Sequence, residues 1–433
     1  MHHLKRHLVI PVFLIAVLIV GTIFYKVYAW KDNGTFKIKD LVGERSAIED
    51  VIISGDLLDG YHRVRFKIEG GLVRTDTEVY SVPMLWSTDR YIYGAPKRMN
   101  GIDYEVRGYI DFDIIYRDSR NPKRSVTGLA HLKPEIVYTK SSQEGVTFTN
   151  PLEYGLAKIG ENVYYSVPTT TDYTGMNGIY ELKFDERAYQ YMPEYEKHAP
   201  RLVTSYSLDR NKESGSAGIE VLGLEAVGGK LALITAEDNK LVVRGYDSSS
   251  GLMLGEAVIE NFIVAGRGDN KEAEAHYESY DAYADHIGNV LTLSFRSNLS
   301  RPGQLKRTIV SVDFSRSVEA VQILKGDFRD GDEHRYFGYG IQYMSYVNGK
   351  LVVAMTLSEP EESNSIPHEI VRPKRFFIYV FQASELMYKG ELVTDLNDDT
   401  IRAVNVPPTY SGFAYDPAQY RNFADVTIER KTR

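Results

Sequence analysis

The sequence predicts an all-β chain set behind one N-terminal transmembrane helix. Three observations predict it: an uncharged run from Leu8 to Tyr25, a period-2 alternation from Tyr61 to Glu69, and a turn-and-strand unit that appears four times after residue 145. Composition agrees. Of 433 residues, 43% are apolar and 25% charged, ordinary globular usage that excludes global disorder, collagen and a polytopic membrane protein. At about 100–200 residues per domain, the length allows two or three domains or one repeat array. Lys plus Arg number 51 and Asp plus Glu 59, a net charge of −8 that sets aside a general nucleic-acid binder. Cysteine is absent, which excludes disulfides, thiolate metal sites, iron–sulfur clusters and Cys nucleophiles.

The run from Leu8 to Tyr25 approaches the ~20 residues a bilayer requires, and Val27, Tyr28, Ala29 and Trp30 extend it past Lys26. Lys26 can snorkel to the headgroups, while Tyr25, Tyr28 and Trp30 suit the interface. Val27-Tyr28-Ala29 also resembles a signal-peptidase site, but a signal-peptide core is usually ~7–15 residues, shorter than this run. The reading is therefore a signal-anchor over 8–30 behind a short cytoplasmic head, 1–7. Lys5 and Arg6 precede the span, and Lys26, Lys31, Lys37 and Lys39 follow it, so charge alone does not orient it. Large domains cross largely regardless of charge, and a chain without Cys fits export outside any disulfide-forming system. The expected location is the cell membrane, single-pass, with the bulk of the chain outside the cytoplasm.

Residues 31–44 are polar and read as a stalk. Beyond them strand signals dominate; Glu186–Tyr195 could hold a helical turn, interrupted by Pro193. Tyr61–Glu69 places Val64, Phe66 and Ile68 on one face and Arg63, Arg65 and Lys67 on the other, as in a half-buried strand. Asp103–Tyr116 is a second β-rich stretch, and 32 Tyr and 17 Phe suit pleated, half-wet surfaces. Residues 45–140 form either a separate β domain or divergent units that close a ring with Thr400–Ile428.

The recurring unit is a tight Gly turn followed by an apolar strand and a partner strand. It reads Gly160-Glu161-Asn162-Val163, Gly229-Lys230-Leu231, Gly288-Asn289-Val290 and Gly349-Lys350-Leu351, with partner strands at Ile179–Phe184, Leu241–Tyr246, Thr308–Phe314 and Phe376–Phe381. Gly229, Gly288 and Gly349 are expected at φ > 0. The clearest unit, Gly218 to Ile259, holds four short strands, Ile219–Leu222, Leu231–Thr235, Leu241–Tyr246 and Met253–Ile259, separated by Gly228-Gly229, Asp238-Asn239 and Ser250-Gly251. Its length matches the ~40–45 residues of a four-stranded propeller blade. With Asp247, Gly251 and Gly255 it resembles the generic β-propeller repeat of quinoprotein-like and WD40-like blades, over about 145–395. The resemblance implies a β-propeller-like extracytoplasmic domain over 145–433. It carries no site residues, because the Trp-Asp dipeptide, the kelch glycine pair and the Asp-box are absent.

Several clusters could carry chemistry. Glu272, Glu274, His276, Glu278, Asp281, Asp285 and His286 form the densest acidic and histidine stretch; carboxylate with imidazole binds divalent ions, and a solvated acidic loop is the plainer account. Asp395, Asn397 and Asp399 offer oxygen ligands at alternate positions, as a calcium loop does, but Thr400 and Val406 stand where an EF-hand needs its Gly and bidentate acid. Asp327, Asp330, Asp332 and Glu333 around Gly331 form a similar set. Calcium, bound peripherally, is the cofactor these oxygen ligands would take. Tyr336, Phe337, Tyr339 and Tyr343 follow as a candidate ligand platform, where exposed aromatics beside acids would stack on sugars or hold a peptide. Arg117, Arg120, Lys123 and Arg124 around Pro122 form a basic loop suited to anionic headgroups or wall polymer.

No P-loop, dinucleotide fingerprint, Gly-x-Ser-x-Gly elbow or His-Glu-x-x-His is present: Gly229 stands where a P-loop needs Lys, and Gly266-Arg267-Gly268-Asp269 lacks a third glycine. The expected function is a membrane-anchored extracytoplasmic binding or sensing module. Its partners would be the lipid bilayer through Leu8–Tyr25 and a membrane or envelope protein, with no nucleic acid. The alternatives are a carbohydrate-active enzyme using paired carboxylates in a central channel and a structural envelope protein.

Overall fold

The computed structural model describes residues 9–30, 34–58, 62–81, 96–118, 126–139, 151–185, 199–209, 218–265, 274–298, 306–327, 340–360, 371–397 and 422–431. Val9–Trp30 forms α1, 22 residues long. Its side chains are described over residues 11–26 and every one is exposed, Leu18 by 68%. Taken over those described residues, no helix is long and apolar enough to cross a membrane.

The rest of the described chain is β-structure with short 3-10 turns. β1 (Phe36–Val42) is followed by β2 (Val51–Leu58), β3 (His62–Glu69) and β4 (Leu72–Val79). Next come β5 (Lys97–Met99), β6 (Ile102–Gly108), β7 (Phe112–Asp118) and β8 (Val126–Leu132), then β9 (Glu135–Tyr138). β10 (Leu156–Ile159), β11 (Asn162–Tyr165), β12 (Tyr173–Glu181) and β13 (Arg201–Ser207) follow, then β14 (Ile219–Val227), β15 (Lys230–Glu237), β16 (Lys240–Asp247) and β17 (Met253–Ile259). The last groups are β18 (His276–Asp285), β19 (Val290–Ser297), β20 (Lys306–Asp313) and β21 (Glu319–Asp327); β22 (Gly340–Val347), β23 (Lys350–Pro360), β24 (Val371–Gln382) and β25 (Glu385–Thr394); and β26 (Asn422–Arg430).

These strands make six antiparallel sheets, none closed on itself. Sheet 1 runs β26-β2-β3-β4; sheet 2 is β5 to β8; sheet 3 is β10 to β13 with β9 on β12; sheets 4 and 5 are β14 to β17 and β18 to β21; sheet 6 is β22 to β25 with β1 added outside β25. First strands of successive sheets lie side by side: β10 against β14, β14 against β18, β18 against β22, and β22 against β26. The arrangement is propeller-like, with the first strand of each sheet innermost. Apolar clusters fill the spaces between neighbouring sheets, as Phe66, Phe376 and Phe423 do between sheets 1 and 6. Sheets 1 and 2 share no such cluster among the described residues.

The alternation read at Tyr61–Glu69 is β3, with Val64, Phe66 and Ile68 buried and Arg65 and Lys67 exposed. The unit Gly218–Ile259 is sheet 4, its first three strands longer than expected. Of the expected stalk, 31–44, residues 34–44 are described, and within them β1 pairs Phe36–Val42 against β25. Ile38 is buried between exposed Lys37 and Lys39, and Phe36 and Leu41 pack against the neighbouring clusters, enough for an edge strand with one wet face. Of the described strands within 45–140, β2 pairs with β26 and β9 with β12, while β5 to β8 make a sheet of their own. Glu186–Tyr195 lies outside the described residues.

Of the three turn glycines, only Gly349 has a left-handed backbone, φ +78, beside Asn348 at +54. In the equivalent turns Gly228 (+58) and Asn289 (+55) take that conformation instead. The constraint at Gly288 is a close approach, because a Cβ there would collide with the Asp285 carboxylate that accepts its N–H at 2.8 Å. A Cβ at Gly349 would meet nothing, so its constraint is the backbone alone. Gly349→Val should therefore cost at least about 1–2 kcal/mol, since a β-branched residue is a genuine outlier there. Gly229→Val should cost less, and thermal melts of the two variants check the difference.

Candidate functional site

The six inner strands surround a cavity of about 590 Å³. Each contributes to its wall: Lys97 from β5, Leu156 from β10, Glu225 from β14, Tyr280 from β18, Tyr343 from β22 and Asp425 from β26. Four of these strands reach it through an irregularity with extra residues on the inner strand: one between Val221 and Gly223, two between His276 and Tyr280, one between Ile341 and Tyr343, and one opposite Ser54 and Asp56, where Asp425 sits at φ +49. A bulge breaks strict alternation and re-aims side chains, which is how polar groups come to face the axis from otherwise apolar strands.

Lys97 is the centre of the constellation and is only 9% exposed. Its Nζ donates to the Leu156 carbonyl at 2.6 Å and lies 3.5 Å from Glu225 Oε1. The same oxygen accepts from the Tyr280 hydroxyl at 3.2 Å. Burial pushes the Glu225 carboxyl above the ordinary carboxylate range, against the opposing pull of Lys97 and Tyr280. Burial also pushes the Tyr280 phenol well up, so it remains a donor at any physiological pH. Tyr154 braces Tyr280 from the neighbouring inner strand's approach: the rings are 4.7 Å apart, and the Tyr154 hydroxyl donates to the Tyr280 carbonyl at 3.0 Å.

Gly223 makes room for this arrangement. A Cβ at that position would occupy the place of the Tyr280 hydroxyl. Gly223→Ala should displace Tyr280 from Glu225 and cost about 1–3 kcal/mol, the usual penalty for overpacking; a chemical denaturation curve checks it, and loss of Tyr280 packing would show in near-UV circular dichroism.

Several other charged groups on the wall are engaged, while Lys158 has a looser contact, 4.0 Å from Glu161. Asp281 Oδ2 accepts from Arg307 at 2.6 Å, and Arg98 forms a two-point pair with Asp103 at 2.7 and 3.0 Å. His286 Nδ1 accepts the Gly228 N–H at 3.2 Å. Tyr343 packs edge-on against Tyr283 at 5.2 Å, the Tyr283 hydroxyl donating to the Ile341 carbonyl at 3.2 Å. A second cavity of about 400 Å³ lies on the polar face of sheet 1 beside Arg63, Arg65, Lys67 and Arg74. Asp56 pairs with Arg63, and Asp76 and Glu78 with Arg65, so it is a mixed-charge face rather than a basic one.

The residues singled out from sequence are dispersed. Of the ligand platform, Tyr343 lines the central cavity, while Tyr336, Phe337 and Tyr339 lie outside the described residues, as do Asp330, Asp332, Glu333 and Asp399. Asp327 ends β21 opposite Lys306. Asp395 Oδ1 accepts the Thr35 N–H at 2.7 Å, so it pins the N-terminal segment to the end of sheet 6; Asn397 closes the same 3-10 turn. Among the described residues no group of three or more His, Asp or Glu could hold a metal ion. The stretch from Glu274 to His286 separates for the same reason. His276 is buried, stacks on Phe262 at 4.4 Å and bonds Thr308 at 2.8 Å, while Asp281 pairs with Arg307 and Asp285 closes the following turn. In the basic loop, Arg117 pairs with Glu105, and Arg120, Lys123 and Arg124 lie outside the described residues. Asp247, part of the propeller-like turn, accepts the Ser249 and Ser250 N–H groups at 3.1 and 2.8 Å, so it serves the turn.

Sequence reasoning missed Lys97, Glu225 and Tyr280. One signal was present: Glu225 is a charged residue in the apolar run of Ile219–Val227.

No family model matches the chain, and no curated protein matches it. Among solved structures, it is similar to a prolyl endopeptidase at 10% identity and TM-score 0.23, covering 80% of this chain and 49% of that one. The chain thus spans about half the length of that enzyme. It is similar to a GH43 endo-arabinanase from Bacillus licheniformis at 12% identity and TM-score 0.16, covering 76% of this chain and 90% of that one. It is also similar to the WD40 domain of Toxoplasma gondii coronin at 9% identity and TM-score 0.18, covering 78% of this chain and 88% of that one. At these values the similarities assign neither a family nor an activity.

Proposed function

We propose that this protein is a membrane-anchored, extracytoplasmic binding module whose ligand site is the cavity between the six inner strands. The observation that carries the reading is the buried Lys97–Glu225–Tyr280 constellation on the cavity wall. Such a group is costly to desolvate, and a purely structural axis is cheaper to fill with apolar side chains. A concave site with a few fixed polar groups and aromatic walls is the general form of a small-molecule site.

The anchor is proposed from the uncharged run Leu8–Tyr25; the described residues by themselves hold no helix long and apolar enough to cross a membrane, and the apolar residues of α1 from Val12 to Phe24 are exposed rather than packed on the sheets. Such a helix is stable where its surroundings are themselves apolar, in a bilayer or against a membrane partner. Protease added to intact cells should degrade the sheet domain and leave a protected fragment containing α1. A domain digested only after lysis would be cytoplasmic, and the reading would fail.

The enzyme alternative has one observation in its favour, the raised Glu225 carboxyl, which suits a general acid. Turnover of a glycan that Glu225→Gln abolishes would move the protein to that class.

A further inference from the structure

We infer that the ligand of the central cavity is a neutral, hydroxyl-rich small molecule, a monosaccharide or cyclic polyol, gripped by a vicinal diol that bridges Lys97 and Glu225. The inference rests on the reading of this cavity as a binding site and adds the chemical class of what it binds.

Unmet hydrogen-bonding capacity comes first. An ammonium has three N–H groups. One of those on Lys97 goes to the Leu156 carbonyl, and a second faces Glu225. The third has no partner among the described residues. Glu225 Oε1 serves Tyr280 and Lys97, while Oε2 has no partner among the described residues and is not sealed off. The wall thus offers one donor and one acceptor side by side, with Nζ and Oε1 only 3.5 Å apart. Adjacent ring hydroxyls match that pattern: one oxygen accepts from the ammonium, and the next hydroxyl donates to the carboxyl.

Charge beside Lys97 and Glu225 disfavours an ionic ligand. Lys97 faces Glu225, Asp281 is held by Arg307, and Arg98 by Asp103, while Lys158, elsewhere on the wall, lies 4.0 Å from Glu161. A carboxylate, phosphate or ammonium entering the cavity would have to break one of these pairs or stay uncompensated in a partly enclosed space. Hydroxyls satisfy both members of a pair without altering the charge. The Tyr154–Tyr280 and Tyr283–Tyr343 ring pairs supply apolar surface for the C–H face of a saturated ring. The volume, about 590 Å³, falls within the ~300–1,000 Å³ of small-molecule sites.

The test uses the full chain in detergent micelles. Ligand-observed saturation-transfer NMR and thermal melts would be run with D-glucose, D-galactose and myo-inositol as neutral probes. Glucuronate, glucosamine and inorganic phosphate serve as ionic ones. At least one neutral probe should bind and raise Tm, while the ionic probes bind more weakly. Glu225→Gln preserves shape and should weaken that binding about 10-fold or more, the usual worth of a hydrogen bond to a charged group; Tyr280→Phe, which frees the Glu225 carboxyl from its positioning bond, should weaken it less. Tighter binding of an ionic probe at this site would overturn the ligand class and leave the binding reading standing. Neutral binding untouched by both substitutions would overturn the placement on Lys97 and Glu225. A folded protein that binds no probe of either kind would overturn both readings.

Discussion

Truncation after residue 421 should abolish cooperative folding of the sheet domain. β26 is the inner strand of sheet 1, paired with β2 from Val51 to Leu58. Its Phe423, Val426 and Ile428 are buried in the cluster shared with sheet 6, where the Phe423 ring lies 5.0 Å from Phe376 and 5.9 Å from Phe66. Emptying a large buried aliphatic or aromatic site costs about 2–5 kcal/mol. Losing three together, with the ladder to β2, rivals the ~5–15 kcal/mol that holds a typical domain folded. The single substitution Phe423→Ala isolates the packing contribution and should cost about 3–5 kcal/mol. Denaturant titration of both variants is the measurement; a truncated chain that melts like the intact one would show that sheet 1 does not depend on β26.

Lys97→Met should produce a stability loss that grows with pH. In the intact protein the Glu225 carboxyl titrates above the ordinary carboxylate range because burial outweighs Lys97 and Tyr280. A carboxyl raised on folding binds more protons in the folded than in the unfolded state. Its contribution is complete below the unfolded pKa and is lost as pH rises through the folded one. Removing the Lys97 ammonium removes the cation that favours the ionised form, so the folded value rises further and the window of loss widens upward. At low pH, with Glu225 protonated, the variant should lose only the pH-independent bond to the Leu156 carbonyl, about 1–3 kcal/mol. Near pH 8 it should be weaker by about 3–5 kcal/mol, the cost of leaving a buried charge unpaired. Adding Glu225→Gln should restore a flat profile, and the double-mutant cycle gives the coupling between the two side chains. A pH-independent loss in Lys97→Met would mean that the lysine contributes packing alone.

Local features were legible in the sequence. The alternation of β3 and the four strands of sheet 4 depend on period and turn chemistry within a few residues, which a single chain displays directly. The Asn348-Gly349 turn is of the same kind. What was not legible depends on distance or on broken alternation. Lys97 and Glu225 meet only because β5 and β14 both face one axis, and nothing in either segment records the other. The bulges on β14 and β22 shift inward residues out of the period that sequence reading assumes. β1 was hidden because it is an edge strand carrying Lys37 and Lys39, and its one deeply buried apolar residue is Ile38. The acidic clusters misled because carboxylates near in sequence were spent on separate local tasks: Asp281 on Arg307, Asp285 on a turn, and Asp395 on the Thr35 amide.

The pairing of β26 with β2 also sets a clock on biosynthesis. β2 is among the first strands to be made, and its inner partner is among the last. At about 5–20 residues per second, the intervening ~350 residues take roughly 20–70 s to appear. Throughout that interval β2 presents an unpaired edge, a template for any passing strand. Sheets 2 to 5 are each contiguous in the chain and can form as they emerge, so the nascent protein is an arc awaiting its clasp. Crowded synthesis should therefore favour exchange of β26 between neighbouring copies, and slowing synthesis just before residue 422 should lengthen the exposure and raise the yield of such intertwined dimers.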